Sequence, residues 1–337
     1  MGYRVSRETL DLWLATHAAD YEIWAPHRFV GEGCFSDTDS VRYARVTKLE
    51  EIELKERSHY SFKEALTPAS QTLFYFTQEA CTEPEPPVKG AILLLRSCDL
   101  HALRRLDDMY LHNGPADYYY ARLRERVKVV LLGCAASCES GFCVSMGTNV
   151  SENYDMSLDP VAGDFLVDCK DADWAAFFAA RGCGEEPVTP AHVEENAVKV
   201  TVPEKLSPAV AKASLWNQYD KRCINCGRCN FVCPTCTCFT MQDLYYDENA
   251  RLGERRRVWA SCMVDGFTDV AGGGSYRKKN GERMRFKVLH KMLDYKQRKG
   301  YQMCVGCGRC DDVCPEYISF SGCVNHLDEA MKEVQGK

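Results

Sequence analysis

Two stretches of the chain repeat one arrangement of cysteines. KRCINCGRCNFVCP (221–234) and QMCVGCGRCDDVCP (302–315) share the spacing C-x2-C-x2-C-x3-C-P. In this spacing three close thiolates hold three corners of a cubane cluster, and in two-cluster ferredoxins the fourth cysteine binds the other cluster. The repeat therefore predicts two [4Fe-4S] clusters. The predicted ligands of the first cluster are Cys223, Cys226, Cys229 and Cys314, and those of the second are Cys304, Cys307, Cys310 and Cys233.

A pair of structural zinc sites is the alternative explanation, since zinc sites also use C-x2-C pairs. A structural zinc ion takes its four ligands from two such pairs, whereas each run here supplies four cysteines by itself. The proline that follows each fourth cysteine and the duplicated frame also favour iron–sulfur clusters.

Four more cysteines follow two apolar runs that are typical of buried strands, AILLL (91–95) and VKVVLLG (127–133). If the two strands are parallel neighbours, the loops that follow them leave the sheet at one edge, where ligands of such sheets bind. This arrangement predicts a third [4Fe-4S] cluster. The alternative is that these cysteines are small buried thiols. The predicted ligands are Cys98, Cys134, Cys138 and Cys143.

Eight cysteines remain outside these sets, and we interpret most of them as packing residues. Cys236 and Cys238, in CPTCTCF, follow the first motif closely enough to tune a cluster through S–H or backbone contacts. The roles of Cys262 and Cys323 stay open. The other four are Cys34, Cys81, Cys169 and Cys183.

The elements that carry these cysteines predict two domains. The helical pattern of residues 100–111, between the strands at 91–95 and 127–133, indicates a parallel sheet joined by a helical crossover. TLFYF (72–76) has the pattern of another buried strand. Composition changes near residue 203, where Ser207 and Pro208 are a typical helix start.

We therefore predict an α+β protein. Residues 1–203 form an N-terminal α/β domain with a mainly parallel sheet, and residues 204–337 form a mainly α-helical ferredoxin domain with two clusters. The helical character of the second domain is predicted from residues 285–300, where Phe286, Leu289, Met292 and Leu293 share one face and a glycine ends the pattern.

Composition excludes several classes of protein. The 337 residues include 20 cysteines, the formal net charge is −6, and no apolar run approaches the length of a membrane span. The charged N-terminus lacks a signal-peptide pattern, so we expect a cytoplasmic protein whose cysteines serve metal or redox chemistry. Residues 251–300 carry a local charge of +9, which indicates a solvated face or a docking surface. Overall acidity argues against nucleic-acid binding.

No catalytic residues are predicted, because the sequence has no dinucleotide fingerprint, phosphate-binding loop, Ser-His-Asp set or HExxH motif. A sirohaem-type pattern is matched only by cysteines of the ferredoxin runs. We therefore expect neither flavin nor sirohaem in this chain, which leaves an electron carrier. The alternative from another class is a regulatory or structural iron–sulfur module.

Five segments together resemble one family, the A-type iron–sulfur subunits of anaerobic sulfite reductases, which are related to the β subunits of cytosolic NiFe sulfhydrogenases. The resemblance spans about residues 70–325, and the chain departs from the family's Cys-Phe-Cys at Gly141-Phe142-Cys143. The segments are RSCDLHALRRLD, GCAASCESGFCVSMGTN, CPTCTCF, WASCMVDGFTDVAGG and CVGCGRCDDVCP.

This resemblance implies an electron-transfer subunit of an NADH-dependent sulfite reductase. The implied partners are a flavin-containing subunit that oxidises NADH and a sirohaem-containing subunit that reduces sulfite to sulfide. The alternative that the same resemblance leaves open is the β-type electron-transfer subunit of a cytosolic NiFe hydrogenase. Neither alternative involves a membrane or a nucleic acid.

Overall fold

The computed structural model of the protein describes residues 1–35 and 37–336, which divide into two units. Two segments that precede residue 203 belong to the second unit, because their strand and loop pair with residues far along the chain. The first unit comprises Met1–Pro68, Glu85–Cys138 and Thr148–Glu195, and the second comprises Ala69–Pro84, Glu139–Gly147 and the chain from Asn196 onward.

The first unit is built on a sheet whose strand order is β10-β1-β9-β8-β7-β6-β2-β3, numbered along the whole chain. The pairs β8–β7, β7–β6 and β6–β2 are parallel, and the other pairs are antiparallel. The strands are β1 (Gly2–Val5), β2 (Tyr21–Phe29), β3 (Ser40–Arg45), β6 (Gly90–Arg96), β7 (Val127–Leu132), β8 (Met156–Val161), β9 (Asp164–Asp168) and β10 (Gly184–Glu185).

The central strands confirm the predicted parallel pair. Leu94 of β6 lies opposite Val130 of β7, and both side chains are buried. Strands covered on both faces are nearly continuous apolar runs, which is why AILLL is recognisable in the sequence. The helices of this unit are α1 (Arg7–His17), α2 (Ser97–Tyr110), α3 (Tyr118–Arg124) and α4 (Ala172–Ala179), with short 3-10 turns at Leu49–Glu51 and Phe62–Ala65.

The helices of the second unit confirm its mainly helical character. They are α5 (Tyr219–Arg222), α6 (Arg228–Phe231), α7 (Asn280–Leu289), α8 (Tyr295–Lys299), α9 (Arg309–Asp312), α10 (Phe320–Asn325) and α11 (Leu327–Gln335). A π-helical turn, His290–Asp294, joins α7 to α8, and Gly300, with φ of 86°, ends α8 as predicted. The helix expected after Ser207 is instead two 3-10 turns, Pro208–Lys212 and Ser214–Gln218, because Ala213 is extended.

The second unit also contains an antiparallel sheet that is not predictable from the sequence pattern, in the order β11-β12-β4-β5. TLFYF forms a strand as expected, but its predicted burial is wrong, since only Leu73 of β4 is fully buried. Every residue of β11, at the sheet edge, is exposed. The strands are β4 (Ser70–Phe76), β5 (Cys81–Thr82), β11 (Phe239–Tyr245) and β12 (Gly253–Trp259), with a small hairpin of β13 (Asp269–Val270) and β14 (Gly274–Ser275).

The two units together confirm the predicted α+β class, with an N-terminal sheet whose central strands are parallel and a C-terminal helical cluster domain. Within residues 1–35 and 37–336, no helix is both long enough and apolar enough to cross a bilayer.

Candidate iron–sulfur site

The two cysteine motifs fold into the same loop. Asn225 and Gly306 occupy equivalent positions with φ of 59° and 65°, and Gly227 and Gly308 follow with φ of 73° and 75°. Each loop then enters a single helical turn, α6 or α9. Left-handed backbone conformations suit glycine and, among other residues, asparagine. This local rule explains why the motif tolerates Asn at one of these positions and Gly at the others.

Two cavities lie beside these loops. The first is lined by three cysteines of the first motif, Cys223, Cys226 and Cys229, and by Cys310 and Cys314 of the second. The second is lined by three cysteines of the second motif, Cys304, Cys307 and Cys310, and by Cys229 and Cys233 of the first. Cys229 and Cys310 line both cavities, so the two spaces adjoin within the second unit. Each fourth cysteine thus reaches the cavity of the opposite motif.

The donors around these cavities fit a polynuclear cluster. Among the residues that the structure describes, no three His, Cys, Asp or Glu side chains are close enough to hold one metal ion together. The thiols instead surround spaces whose other walls include Met284 and Phe320. Soft thiolates around an apolar space are the environment that iron–sulfur clusters use.

Lys287 of α7 is one of two buried lysines that face the cavities. It is 4% exposed and lines both of them. Burial alone would lower the pKa of Lys287, but the thiols of Cys229 and Cys310 raise the pKa well above its usual value. Lys287 therefore stays charged between the cavities.

Lys291, one helical turn further along, is 3% exposed and lines the second cavity. Its Nζ lies 3.4 Å from the Sγ of Cys233 and donates a 2.8 Å hydrogen bond to the Oγ1 of Thr235. Burial would lower the pKa of Lys291, but the thiols of Cys233 and Cys236 raise it. A buried cation of this kind persists only where negative charge compensates it.

The burial of Lys287 and Lys291 is not predicted from the sequence. The apolar residues of 285–300 define the expected buried face, so the charged residues of this segment are expected to face solvent. Arg283, Lys287 and Lys291 are all buried instead. The signal that was available is their spacing of four residues, which places long cations on one helical face between two thiolate motifs. The π-helical turn that contains Lys291 is of a kind often found at functional sites.

Burial also shifts the pKa values of cysteine thiols that line the cavities. It raises the pKa of Cys304 to about 12, and the Gly306 N–H and the charge of Lys291 act in the opposite direction. Because cluster ligation needs the thiolate form, the buried lysines lower the cost of deprotonating these cysteines.

A short segment of the second unit, residues 139–147, packs on the second motif. The N–H of Phe142 donates to the carbonyl of Gly306 at 2.7 Å, and the Oγ of Ser140 donates to the carbonyl of Gly308 at 3.2 Å. A Cβ added to Gly306 would lie 2.5 Å from the Phe142 oxygen. Glycine is thus required there by contact as well as by backbone conformation.

The residues predicted to hold a third cluster fall in different units. Cys98, Cys134 and Cys138 belong to the first unit. Cys143 belongs to the second, where its Sγ lies 3.6 Å from the Oδ1 of Asn196. The third cluster and its ligands therefore stay a prediction.

Within the first unit, a buried arginine accompanies the cysteines. Arg96 is 6% exposed, and its Nη1 lies 3.6 Å from the Sγ of Cys134. Burial raises the pKa of Cys134, and the Arg96 charge opposes the increase. Cys138 also interacts electrostatically with this guanidinium. The arrangement supplies positive charge beside two of the three thiols.

Three consecutive arginines of the basic segment have partners within the sheet, and two of them, Arg255 and Arg256, remain partly exposed to solvent. Arg255 pairs with Asp243 at 2.6 Å, and Arg256 pairs with Glu254. Arg257 is 6% exposed and donates to Gln71 at 2.8 Å. Acidic side chains of the sheet therefore offset part of the positive charge that residues 251–300 carry.

Comparison with known proteins shows what the chain is similar to. Residues 222–318 match the model of the 4Fe-4S dicluster domain. The chain is 28% identical over 306 residues to Sulfhydrogenase 2 subunit beta of Pyrococcus furiosus, covering 86% of this chain and 89% of that protein. No solved structure matches.

The dicluster match confirms the prediction of two [4Fe-4S] clusters. The predicted assignment to the A-type subunits of anaerobic sulfite reductases is not confirmed, because the matched relative is named as a sulfhydrogenase component.

Proposed function

We propose that the protein is the electron-transfer subunit of a multi-subunit oxidoreductase, of the β type found in cytosolic NiFe hydrogenases. The observation that carries the proposal is the pair of adjoining thiol-lined cavities with buried lysines at their walls. Similarity to a sulfhydrogenase β subunit over most of both chains supports it. No cysteine among the described residues forms a disulfide, which fits the cytoplasmic location that we propose.

Crossed ligation is part of the proposal. Cys223, Cys226 and Cys229 would hold the first cluster with Cys314, and Cys233 would complete the second site. When bound, each cluster accepts and releases one electron. Lys287 and Lys291 supply positive charge beside the thiolates, which favours the reduced state. Their burial keeps that charge from being screened by water or salt.

Electron exchange with another subunit would take place at the first cavity, which is the more exposed. The lining residues Cys226 and Ile224 are exposed, Ile224 to 56%, and Tyr317, between the lining residues Glu316 and Ile318, is 88% exposed. The cysteines of the second motif are only partly exposed. Tyr317 also has a left-handed backbone, with φ of 49°, which is uncommon for an aromatic residue outside functional sites.

A redox titration with identification of copurifying proteins tests the proposal. The clusters should be reduced and reoxidised reversibly, and a NiFe-containing subunit and an NADH-oxidising flavin subunit should copurify with the chain. Clusters that cannot be reduced without loss of iron would instead indicate a structural or regulatory module. The isolated chain should oxidise neither NADH nor hydrogen.

The second candidate is the electron-transfer subunit of an NADH-dependent sulfite reductase. The five segments that resemble the A-type subunits of sulfite reductases favour it, whereas the similarity to a sulfhydrogenase β subunit favours the hydrogenase. Copurification with a sirohaem-containing subunit, together with sulfite reduction by the complex, would decide for this candidate.

A further inference from the structure

Two cysteines outside every predicted ligand set lie side by side in the second unit. Cys238 immediately precedes β11, and Cys262 follows β12. The antiparallel ladder brings them together, since the N–H of Ala260 donates to the carbonyl of Cys238 at 3.0 Å. The two thiols are hydrogen-bonded to each other. Their proximity therefore follows from the register of two paired strands.

The surroundings of Cys262 favour its thiolate form. The hydrogen bond from Cys238 lowers the pKa of Cys262 to about 6. The Nδ2 of Asn230 donates a second hydrogen bond to the Sγ of Cys262 at 3.1 Å, and the charges of Lys287 and Lys291 act in the same direction. The pair thus consists of a thiolate and the thiol that donates to it.

We propose that Cys238 and Cys262 form a reversible dithiol–disulfide couple, which small-molecule disulfides oxidise and small-molecule thiols reduce. This function goes beyond electron transfer by the clusters and does not depend on which complex the protein serves. It explains why two thiols are hydrogen-bonded to each other in a core where both would otherwise be packing residues.

Accessibility sets the order of the two steps. Cys238 is partly exposed beside Phe239, which is 40% exposed, whereas Cys262 is 5% exposed. A small disulfide RSSR therefore meets Cys238 first. Cys238 passes its proton to Cys262 along their hydrogen bond, attacks RSSR as the thiolate and forms a mixed disulfide. The expelled RS⁻ takes that proton from Cys262 and leaves as RSH. The Cys262 thiolate then attacks the Cys238 sulfur, forms the internal S–S bond and expels RS⁻. The protein loses two electrons, RSSR gains them, and the Cys238 proton leaves with RSH.

Asn230 connects this couple to the first cluster site. Its Nδ2 contacts Cys262, and its Oδ1 lies 4.0 Å from the Sγ of the adjacent Cys229. Disulfide formation removes the thiolate that accepts the Asn230 hydrogen bond. The hydrogen bonding of Asn230, which also contacts the predicted ligand Cys229, therefore depends on the oxidation state of the couple.

The test uses the full chain with its clusters, kept anaerobic and treated with glutathione disulfide, then alkylated in acid and mapped by mass spectrometry. A Cys238–Cys262 link should form, the iron content should stay unchanged, and dithiothreitol should restore both thiols. The exposed Cys34 and Cys81 report that the reagent is active. If these two are modified while Cys238 and Cys262 stay unlinked, the proposal is wrong.

Two variants test whether Cys262 resolves the mixed disulfide on Cys238. Cys262→Ser should trap glutathione on Cys238, at a level several-fold above that in the wild type, because nothing then resolves the mixed disulfide. Cys323→Ser, at another buried cysteine of the same core, should behave like the wild type. A link between Cys233 and Cys236 with loss of iron would mean that oxidation attacks the cluster site and would overturn the proposal.

Discussion

Asn225 and Gly306 occupy equivalent positions in the two loops, yet they differ in what surrounds them. Both have left-handed backbones, but Asn225 already carries a Cβ, whereas a Cβ at Gly306 would lie 2.5 Å from the Phe142 carbonyl oxygen. The first loop can carry a side chain at this position and the second cannot. A repeat that looks symmetrical in the sequence is therefore asymmetrical in its tolerance of substitution.

We expect Gly306→Ala to prevent assembly of the second cluster while sparing the first. A left-handed alanine costs about 1–2 kcal/mol, and its Cβ would overlap the Phe142 oxygen. Iron content should fall by about four per chain, the content of one cubane. Asn225→Gly should retain iron. Gly184→Ala is the control, since that glycine has open space around it. Full iron in Gly306→Ala would contradict the steric argument.

We expect Lys291→Met to lower the midpoint potential of the cluster beside it. A unit charge a few ångströms away contributes about 2–4 kcal/mol at an effective dielectric near 20. For one electron this corresponds to roughly 90–170 mV, at about 59 mV per tenfold change. Potentiometric EPR measures the shift. Lys296→Met, on the exposed part of α8, should leave the potential within about 20 mV of the wild type, because salt screens an exposed charge. Equal shifts in both variants would refute the role of burial.

At the scale of elements, the sequence predicts what local pattern determines. β6, α2 and β7 were predictable because their apolar residues follow strand and helix periods. β12, with the sequence GERRRVW, has no such period. Its pairing with β4 joins residues about 180 positions apart, which no local pattern encodes. The cysteine motifs were predictable because three of the four ligands of each cluster lie within seven residues of one another.

Helix α4 offers a test of capping and charge together. Asp171 accepts hydrogen bonds from the N–H groups of Asp173 and Trp174, both at 3.0 Å, and pairs with Lys128 at 2.6 Å. Burial acts to raise the pKa of Asp171, but Lys128 and the helix N–H groups outweigh it, so the pKa is lowered below 3.8. Its contribution to stability is therefore present above about pH 4 and is lost as the pH falls further.

Asp171→Ala should lower the free energy of unfolding of the first unit by about 1–2 kcal/mol, the typical value of a helix cap. Hydrogen exchange of the α4 amides measures the loss. The difference from the wild type should be the same at pH 5 and pH 7 and should shrink below pH 4. Asp171→Ser, which keeps a capping oxygen but removes the charge, should recover part of the loss. A difference that grows toward low pH would contradict the sign of the pKa shift.

At the scale of the whole molecule, the number of clusters is the question that the sequence leaves open. Cys143 lies in a different unit from Cys98, Cys134 and Cys138, and sequence spacing could not reveal that the chain leaves the first unit between Cys138 and Cys143. If all three predicted clusters exist, anaerobic protein should contain about 12 iron atoms, three cubanes of four. Cys98→Ser should lower that number by about four and leave the EPR signals of the two dicluster sites unchanged. A content of about eight iron atoms in the wild type would show that the third cluster does not exist.

Electron exchange with a partner should depend on the exposed face of the first cavity. We expect Tyr317→Ala to slow reduction of the clusters by the partner protein several-fold while leaving their potentials unchanged. Tyr276→Ala is the matched control, because Tyr276 is 80% exposed in the same unit but, unlike Tyr317, has no cavity-lining residue beside it in the chain. Stopped-flow absorbance measures the rates. Identical rates for both variants would place the exchange site elsewhere.

The exposed edge strand β11 has a consequence for how the protein is produced. Its residues Phe239, Met241, Leu244 and Tyr245 combine open backbone groups with apolar side chains. An edge of this composition pairs readily with the same strand of another copy. Synthesis at high concentration therefore favours aggregation. Slow expression at low temperature, which keeps the concentration of free edges low, is the rational route to soluble material.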